Sequence, residues 1–78
     1  MTKEEIKKEI EYELSLHSKP KDWREGQFVF NFIDGVYGVA RKAQFEYGID
    51  CFYDDTKIDK FIETCVNILY NSQNEQSH

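Results

Sequence analysis

The sequence has few of the features that mark several large classes of protein. It contains one proline, one tryptophan and two cysteines in 78 residues, and no uninterrupted apolar run is longer than three residues, such as Phe28, Val29 and Phe30. A membrane-spanning helix needs about 20 apolar residues, and small secreted scaffolds usually carry two to four disulfides. The opening residues also contain no apolar stretch typical of a secretory signal. We therefore expect reduced thiols, no membrane partner and a cytoplasmic location.

Positive charge is scarce as well. Ten lysines and arginines stand against 15 aspartates and glutamates, which gives a formal net charge of −5. A protein that coats nucleic acid needs an excess of positive charge, so we expect no direct nucleic-acid contact. The cysteines and histidines are too few and too far apart for a zinc site, and no phosphate-binding glycine loop is present. The sequence therefore predicts neither a metal nor a cofactor.

Aromatic residues, in contrast, are plentiful. Hydrophobic residues make up 40% of the chain, including six phenylalanines and five tyrosines. This is too apolar for a wholly disordered chain and is enough for the thin core of one small domain. We expect a single helical domain over residues 1–71. Residues 72–78 contain no apolar side chain and are predicted to form a disordered tail.

The first 17 residues predict an amphipathic helix over residues 2–17. Thr2 and Glu5 have the spacing of a capping box, in which each side chain satisfies a backbone N–H of the first turn. Three apolar residues at four-residue spacing would share the buried face of this helix, namely Ile6, Ile10 and Leu14. Residues 18–22 contain the one proline and should end the helix.

Residues 24–47 allow two interpretations. As strands, alternating phenylalanines precede an Asp34-Gly35 turn, which is the pattern of a β-hairpin at about 27–40. As helix, one apolar stripe collects Phe28, Phe32, Val36, Val39 and Ala43. Three further apolar residues widen this stripe on the same face, namely Val29, Ile33 and Ala40. Periodicity favours helix, with a break near the glycines at 35 and 38 that divides the segment into two short helices. The predicted class is therefore all-α, with three or four short helices, and an α+β fold with the hairpin is the alternative.

The last third of the chain predicts a connection followed by a helix. Residues 48–55 form the connection, with Phe52 and Tyr53 as two buried aromatics. Thr56 and Asp59 have the spacing of a second capping box, and the helix should run to about Tyr70 or Asn71. Its buried stripe is a set of six residues: Ile58, Phe61, Ile62, Cys65, Ile68 and Leu69.

Two short motifs resemble a group of small bacterial and phage-type proteins. One is R-x-G-Q followed by N, formed by Arg24, Gly26, Gln27 and Asn31, and the other is D-x-F-Y-D-D at residues 50–55. The resemblance covers roughly residues 21–69 and implies a short helical domain in which Gly26 and Gln27 begin a helix. The chain departs from the pattern in its glycines at 35 and 38. The resemblance implies no activity.

Several side chains have both a structural and a functional interpretation. Trp23 is predicted to fill the core, and Cys65 to pack as an apolar residue. The functional alternative for Cys51 is a nucleophile pair with His17. Arg24 is expected to pair with Asp54 or Asp55 and hold two segments together. The candidate interaction surface comprises seven residues: Arg24, Gln27, Asn31, Asp54, Asp55, Asp59 and Glu63.

These features predict a protein-interaction module rather than an enzyme. No catalytic constellation is present, and the resemblance suggests an accessory or inhibitory protein of phage or mobile-element origin. Residues 50–78 carry two lysines against six acidic side chains, which suggests a protein partner that is basic. The alternative is an acidic regulator acting on a basic protein that handles nucleic acid. The oligomeric state is left open.

Overall fold

The first helix begins where the sequence predicts and ends slightly earlier. In a computed structural model, which describes residues 1–75, α1 spans Lys3–Ser15. Thr2 Oγ1 accepts the Glu5 N–H at 3.1 Å and Glu5 Oε1 accepts the Thr2 N–H at 2.9 Å, so the predicted capping box is confirmed. The Leu16 N–H donates to the Glu13 carbonyl at 3.1 Å, which tightens the last turn and ends the helix before Pro20.

The middle of the chain is helical, and the alternative hairpin at 27–40 is wrong. Helix α2 spans Glu25–Val36 and α3 spans Ala40–Tyr47, and residues 1–75 contain no strand. The break lies at residues 37–39, where the N–H groups of Tyr37 and Gly38 both donate to the Ile33 carbonyl. Gly38 has φ +71°, a left-handed conformation that glycine adopts without strain. Of the two glycines expected to interrupt the helix, only Gly38 does so.

The break also corrects part of the predicted buried face of α2, since Val29 and Ile33 are buried as predicted and the other members of the stripe in α2 are not. The residues of α2 that are buried are Gly26, Val29, Phe30 and Ile33. Val36, which the stripe placed in the core, is 58% exposed, and Phe28 and Phe32 are only half-buried. The stripe combined residues of two helices on one helical wheel. Because Val39 lies in the break and Ala43 in α3, they do not define the inward face of α2.

The last helix starts and ends differently from the prediction. A short 3₁₀ turn at Asp55–Lys57 leads into α4, which spans Ile58–Glu75. The cap of this turn is Asp54, whose Oδ1 accepts the Thr56 N–H at 3.0 Å, so Thr56 is not the capping residue. The helix continues past Asn71, and Gln73 Nε2 donates to the Met1 carbonyl at 2.8 Å. The rest of the predicted disordered tail, 76–78, lies outside the described residues.

Helix α4 is the centre of the fold, since both α1 and α3 pack against it. Among the described residues the largest fully buried side chains are those of Ile10, Ile33, Cys51, Phe61 and Cys65. The ring of Phe30 stacks on Phe61 with centroids 5.5 Å apart, and Phe52 meets Phe30 edge-on at 5.6 Å. The all-α prediction is confirmed. Trp23 is half-buried and lies outside this core, so its predicted core position is wrong.

No helix that residues 1–75 form has the length and apolar character needed to cross a membrane.

Candidate functional site

The two motifs of the sequence meet at one junction, which we call the clasp. It joins the start of α2 to the connection before α4. Helix α2 begins after Arg24, whose guanidinium has no hydrogen-bond acceptor and cannot cap the helix. The N–H of Gly26 finds its acceptor 29 residues further along the chain. Asp55 Oδ1 accepts the Gly26 N–H at 2.9 Å. The carboxylate thus caps α2 across the junction, at the positive end of the helix dipole.

Gly26 allows the two segments to approach closely. A Cβ atom at this position would lie 1.8 Å from the carbonyl oxygen of Cys51, a distance no side chain can occupy. The Cys51 thiol donates to the Gly26 carbonyl at 3.3 Å, so a hydrogen bond also joins these two residues. The glycine is therefore required for the approach of the connection to the helix.

Arg24 links the segments by a bond that the sequence analysis did not predict. Its guanidinium donates to the backbone carbonyl of Tyr53 at 3.1 Å. Among the described residues it forms no ion pair with Asp54 or Asp55, so the predicted pairing is wrong although its consequence, a link between two segments, is right. Asp54 instead binds Thr56, and hydrogen bonds from the Thr56 side chain and backbone lower the pKa of Asp54.

Both thiols are poor nucleophiles in this environment. Cys51 and Cys65 are unbonded to each other and fully buried. Burial raises the pKa of each thiol to about 12, and for Cys51 the nearby charge of Asp50 adds to this. Both therefore stay protonated at neutral pH, and a protonated thiol is a poor nucleophile. The imidazole of His17 packs against Phe32, with centroids 5.3 Å apart, rather than against Cys51.

The predicted interaction surface is divided among several places. Arg24 and Asp55 belong to the clasp, as does Gln27, whose Oε1 accepts the Arg24 N–H at 3.4 Å. Asn31 lines a separate cavity of about 350 Å³ beside Trp23. Gln27 and Asn31 lie one turn apart on α2, yet Asn31 lines this cavity rather than the clasp.

The acidic residues of α4 are also separate from the clasp. Asp59 and Glu63 are both exposed. Glu63 shares its cavity with Lys3 and Lys7 of α1, so basic side chains partly offset the negative charge of this part of α4. The predicted acidic surface is weaker here than the sequence suggests.

A third feature, which we call the aromatic cup, lies between α3 and the connection. It is a depression of about 270 Å³. Six of its lining residues define it: Arg41, Gln44, Phe45, Asp50, Phe52 and Tyr53. Phe45 is 78% exposed and Tyr53 75% exposed, the two highest values among the large apolar side chains described. Tyr53 was predicted to be buried, and that prediction is wrong.

Hydrogen bonds fix the polar side of the cup. Asp50 Oδ1 accepts the Phe52 N–H and its Oδ2 accepts the amide of Gln44, both at 2.8 Å. The guanidinium of Arg41 lies 3.6 Å from the Asp34 carboxylate. The Tyr53 ring packs against Phe52 with centroids 4.7 Å apart, so one side of the cup is a small aromatic wall.

The sequence analysis missed Phe45, although its position carried a signal. In α3 the buried residues are Ala40 and Ala43, and Phe45 lies about 200° from Ala43 on a helical wheel. A phenylalanine opposite the buried face of a short helix must point to solvent. Within residues 1–75 no group of three or more acidic, histidine or cysteine side chains could hold a metal.

Comparison with known proteins does not assign the site. No protein-family model, no curated protein and no solved structure matches the chain.

Proposed function

We propose that this protein is a small interaction module and that the aromatic cup is its partner-binding surface. The observation that carries the proposal is the exposure of Phe45 and Tyr53 on the same depression. Large aromatic side chains are enriched at the centres of protein interfaces, where they contribute most of the binding energy. Here they flank hydrogen-bonding groups fixed on Gln44 and Asp50, a combination that gives both affinity and orientation.

The clasp supports this choice of surface by elimination. In the motifs, the Gly26 N–H donates to the Asp55 carboxylate and the Arg24 guanidinium donates to the Tyr53 carbonyl. These groups are occupied in holding two segments together. In the two motifs that resemble those of small bacterial and phage-type proteins, Arg24, Gly26 and Asp55 hold the fold together. Asp50, Phe52 and Tyr53 of the second motif line the cup, where a partner would bind. An accessory or inhibitory role in the cytoplasm, of phage or mobile-element origin, is part of this proposal.

A peptide-display library tests the proposal without knowledge of the source cell. The immobilised full chain selects peptides, which are then tested against the double variant Phe45→Ala with Tyr53→Ala. Loss of the two rings should weaken binding about tenfold or more, as expected for interface hot spots. Tyr12→Ala is the matched control, because Tyr12 is 62% exposed on α1 and does not line the cup.

The outcomes of this selection are distinct. Peptides that lose affinity for the double variant and retain it for the Tyr12→Ala protein support the cup. The proposal is wrong if the selected peptides bind the double variant as well as the wild type, or if no peptide is enriched. Circular dichroism of each variant confirms that the helices are retained.

A second candidate function follows from the acidic side chains outside the cup. Asp59 and Glu63 are exposed and available for a basic protein that handles nucleic acid, with no nucleic acid bound directly. Such a partner would associate more slowly at high salt and with the Asp59→Lys and Glu63→Lys double variant, since charge acts mainly on the association rate. An unchanged rate in both conditions would exclude this candidate. The neighbouring lysines of α1 make it the weaker of the two.

A further inference from the structure

The carboxylate of Asp50 has unused capacity for a cation. A carboxylate offers about four acceptor positions, and Asp50 uses two of them, for Gln44 and for the Phe52 N–H. Within the described residues no lysine, arginine or histidine forms an ion pair with Asp50. Arg41, which also lines the cup, lies against the Asp34 carboxylate instead. The cup thus contains one half-buried negative charge without a positive partner.

The rings beside this carboxylate suit a flat cation. The face of an aromatic ring is electron-rich, and a guanidinium stacks on it more readily than an ammonium does. Phe45 and Tyr53 leave most of their ring surface to solvent, and Phe52 is half-buried beside Tyr53. A guanidinium can also form two hydrogen bonds to one carboxylate, which a lysine cannot do in a fixed geometry.

Charge around the cup agrees with a basic occupant. The connection and its end carry Asp50, Asp54 and Asp55 and no basic side chain between residues 48 and 55. The chain as a whole has a net charge of −5. The cup, at about 270 Å³, lies just below the usual range for small-molecule pockets and suits one side chain of a larger partner.

We propose that the aromatic cup takes an arginine side chain of a protein partner, stacked on Phe45 or Tyr53 and bonded to the Asp50 carboxylate. This inference rests on the proposed function and names the chemistry of its partner. The stacking supplies contact area, and the carboxylate selects for charge. A neutral side chain of the same shape would keep the first contribution and lose the second.

The test is an NMR titration of the ¹⁵N-labelled full chain with N-acetylarginine amide. Its neutral isostere, N-acetylcitrulline amide, is the matched ligand. We expect the arginine compound to bind in the millimolar range and to shift the amides of Gln44, Phe45, Asp50 and Tyr53. Citrulline should bind at least fivefold more weakly, and 0.5 M salt should reduce the difference between the two ligands.

Asp50→Asn tests the carboxylate itself. Asparagine keeps an acceptor for the Phe52 N–H and removes the charge. The Asp50→Asn protein should therefore bind N-acetylarginine amide no more tightly than it binds N-acetylcitrulline amide. Glu11→Gln, which removes an exposed carboxylate on α1, should leave arginine binding unchanged. Equal binding of the two ligands to the wild-type chain, unchanged arginine binding by Asp50→Asn, or the absence of shifts in the cup would each overturn the inference.

The peptide selection described above separates this inference from the proposed function. Enriched peptides that depend on Phe45 and Tyr53 but contain no arginine would contradict the arginine assignment and leave the interaction surface in place. The other outcome is a set of cup-dependent peptides that share an arginine. If replacing this arginine by citrulline weakens binding at least fivefold, the result supports both the interaction surface and the arginine assignment.

Discussion

The clasp and the aromatic cup are formed by neighbouring residues of one connection, yet their chemistry differs. In the clasp, Cys51 and Asp55 turn toward α2 and bind backbone groups of Gly26. In the cup, the Asp50 carboxylate keeps free acceptor positions and the Tyr53 ring is 75% exposed. Tyr53 belongs to both, because its carbonyl binds Arg24 while its ring lines the cup.

This contrast separates groups that hold the fold from groups that are free to bind. A polar group whose hydrogen bonds are satisfied inside the protein has little to offer a ligand, and removing its partner costs stability. An exposed ring contributes little to stability and much to an interface. Variants of the clasp should therefore lower the free energy of unfolding, and variants of the cup should lower partner affinity. The predictions below test this division.

Among the variants of the clasp and the cup, the largest effect on stability is expected for Gly26→Ala. The added methyl group would lie 1.8 Å from the Cys51 carbonyl oxygen, which is backbone and cannot turn away. The connection would have to move, and the bond from the Gly26 N–H to Asp55 would be lost with it. We expect the free energy of unfolding to fall by about 3 kcal/mol or more, measured by urea denaturation followed by circular dichroism.

Gly35→Ala is the matched control for this variant. Gly35 lies inside α2, and a Cβ atom there would have nothing within 4 Å. Alanine is favoured over glycine in a helix by about 1 kcal/mol, so this variant should be at least as stable as the wild type. If Gly26→Ala lowers the free energy of unfolding by only about 0.5 kcal/mol or less, which is the size expected for surface changes, the close approach in the clasp is contradicted.

A smaller effect is expected for Asp55→Ala. This change removes the acceptor of the Gly26 N–H and leaves the start of α2 without a side-chain cap. Loss of such a cap costs about 1 kcal/mol in proteins. Asp55→Asn keeps an oxygen acceptor and should lose less, so a comparison of the two variants by urea denaturation isolates the hydrogen bond from the charge. Equal stability of the alanine variant and the wild type would show that Asp55 does not cap α2.

The helices could be predicted from the sequence because each signal for them is local. The capping box of Thr2 and Glu5 and the apolar stripe of α4 depend on residues within one or two turns. The inward face of α2 was predicted only in part. Val29 and Ile33 are buried as expected, whereas Val36 is exposed because the predicted stripe continued across the break at Gly38. A helical wheel assumes one axis, and the position of the break decides where that axis ends.

The cap of α2 and the exposure of the cup residues are not local properties. Nothing near Arg24 in the sequence indicates that Asp55 caps the helix from 29 residues away. Tyr53 was predicted to be buried because it is aromatic, whereas the connection turns its ring to solvent. Both outcomes depend on how α2 and the connection pack together, and this depends in turn on the absence of a side chain at Gly26.

The smallest effect on stability is expected for Phe45→Ala. The ring is 78% exposed and lies opposite the buried alanines of α3, so its removal should change the free energy of unfolding by no more than about 0.5 kcal/mol. Phe61→Ala, which removes a fully buried ring from α4, should cost about 3–5 kcal/mol under the same conditions. A loss above about 1 kcal/mol in Phe45→Ala would mean that the ring supports the fold and would make Phe45 part of the packed structure. A change within the expected limit, together with a tenfold loss of affinity for cup-dependent peptides, would place the role of this ring in binding rather than in folding.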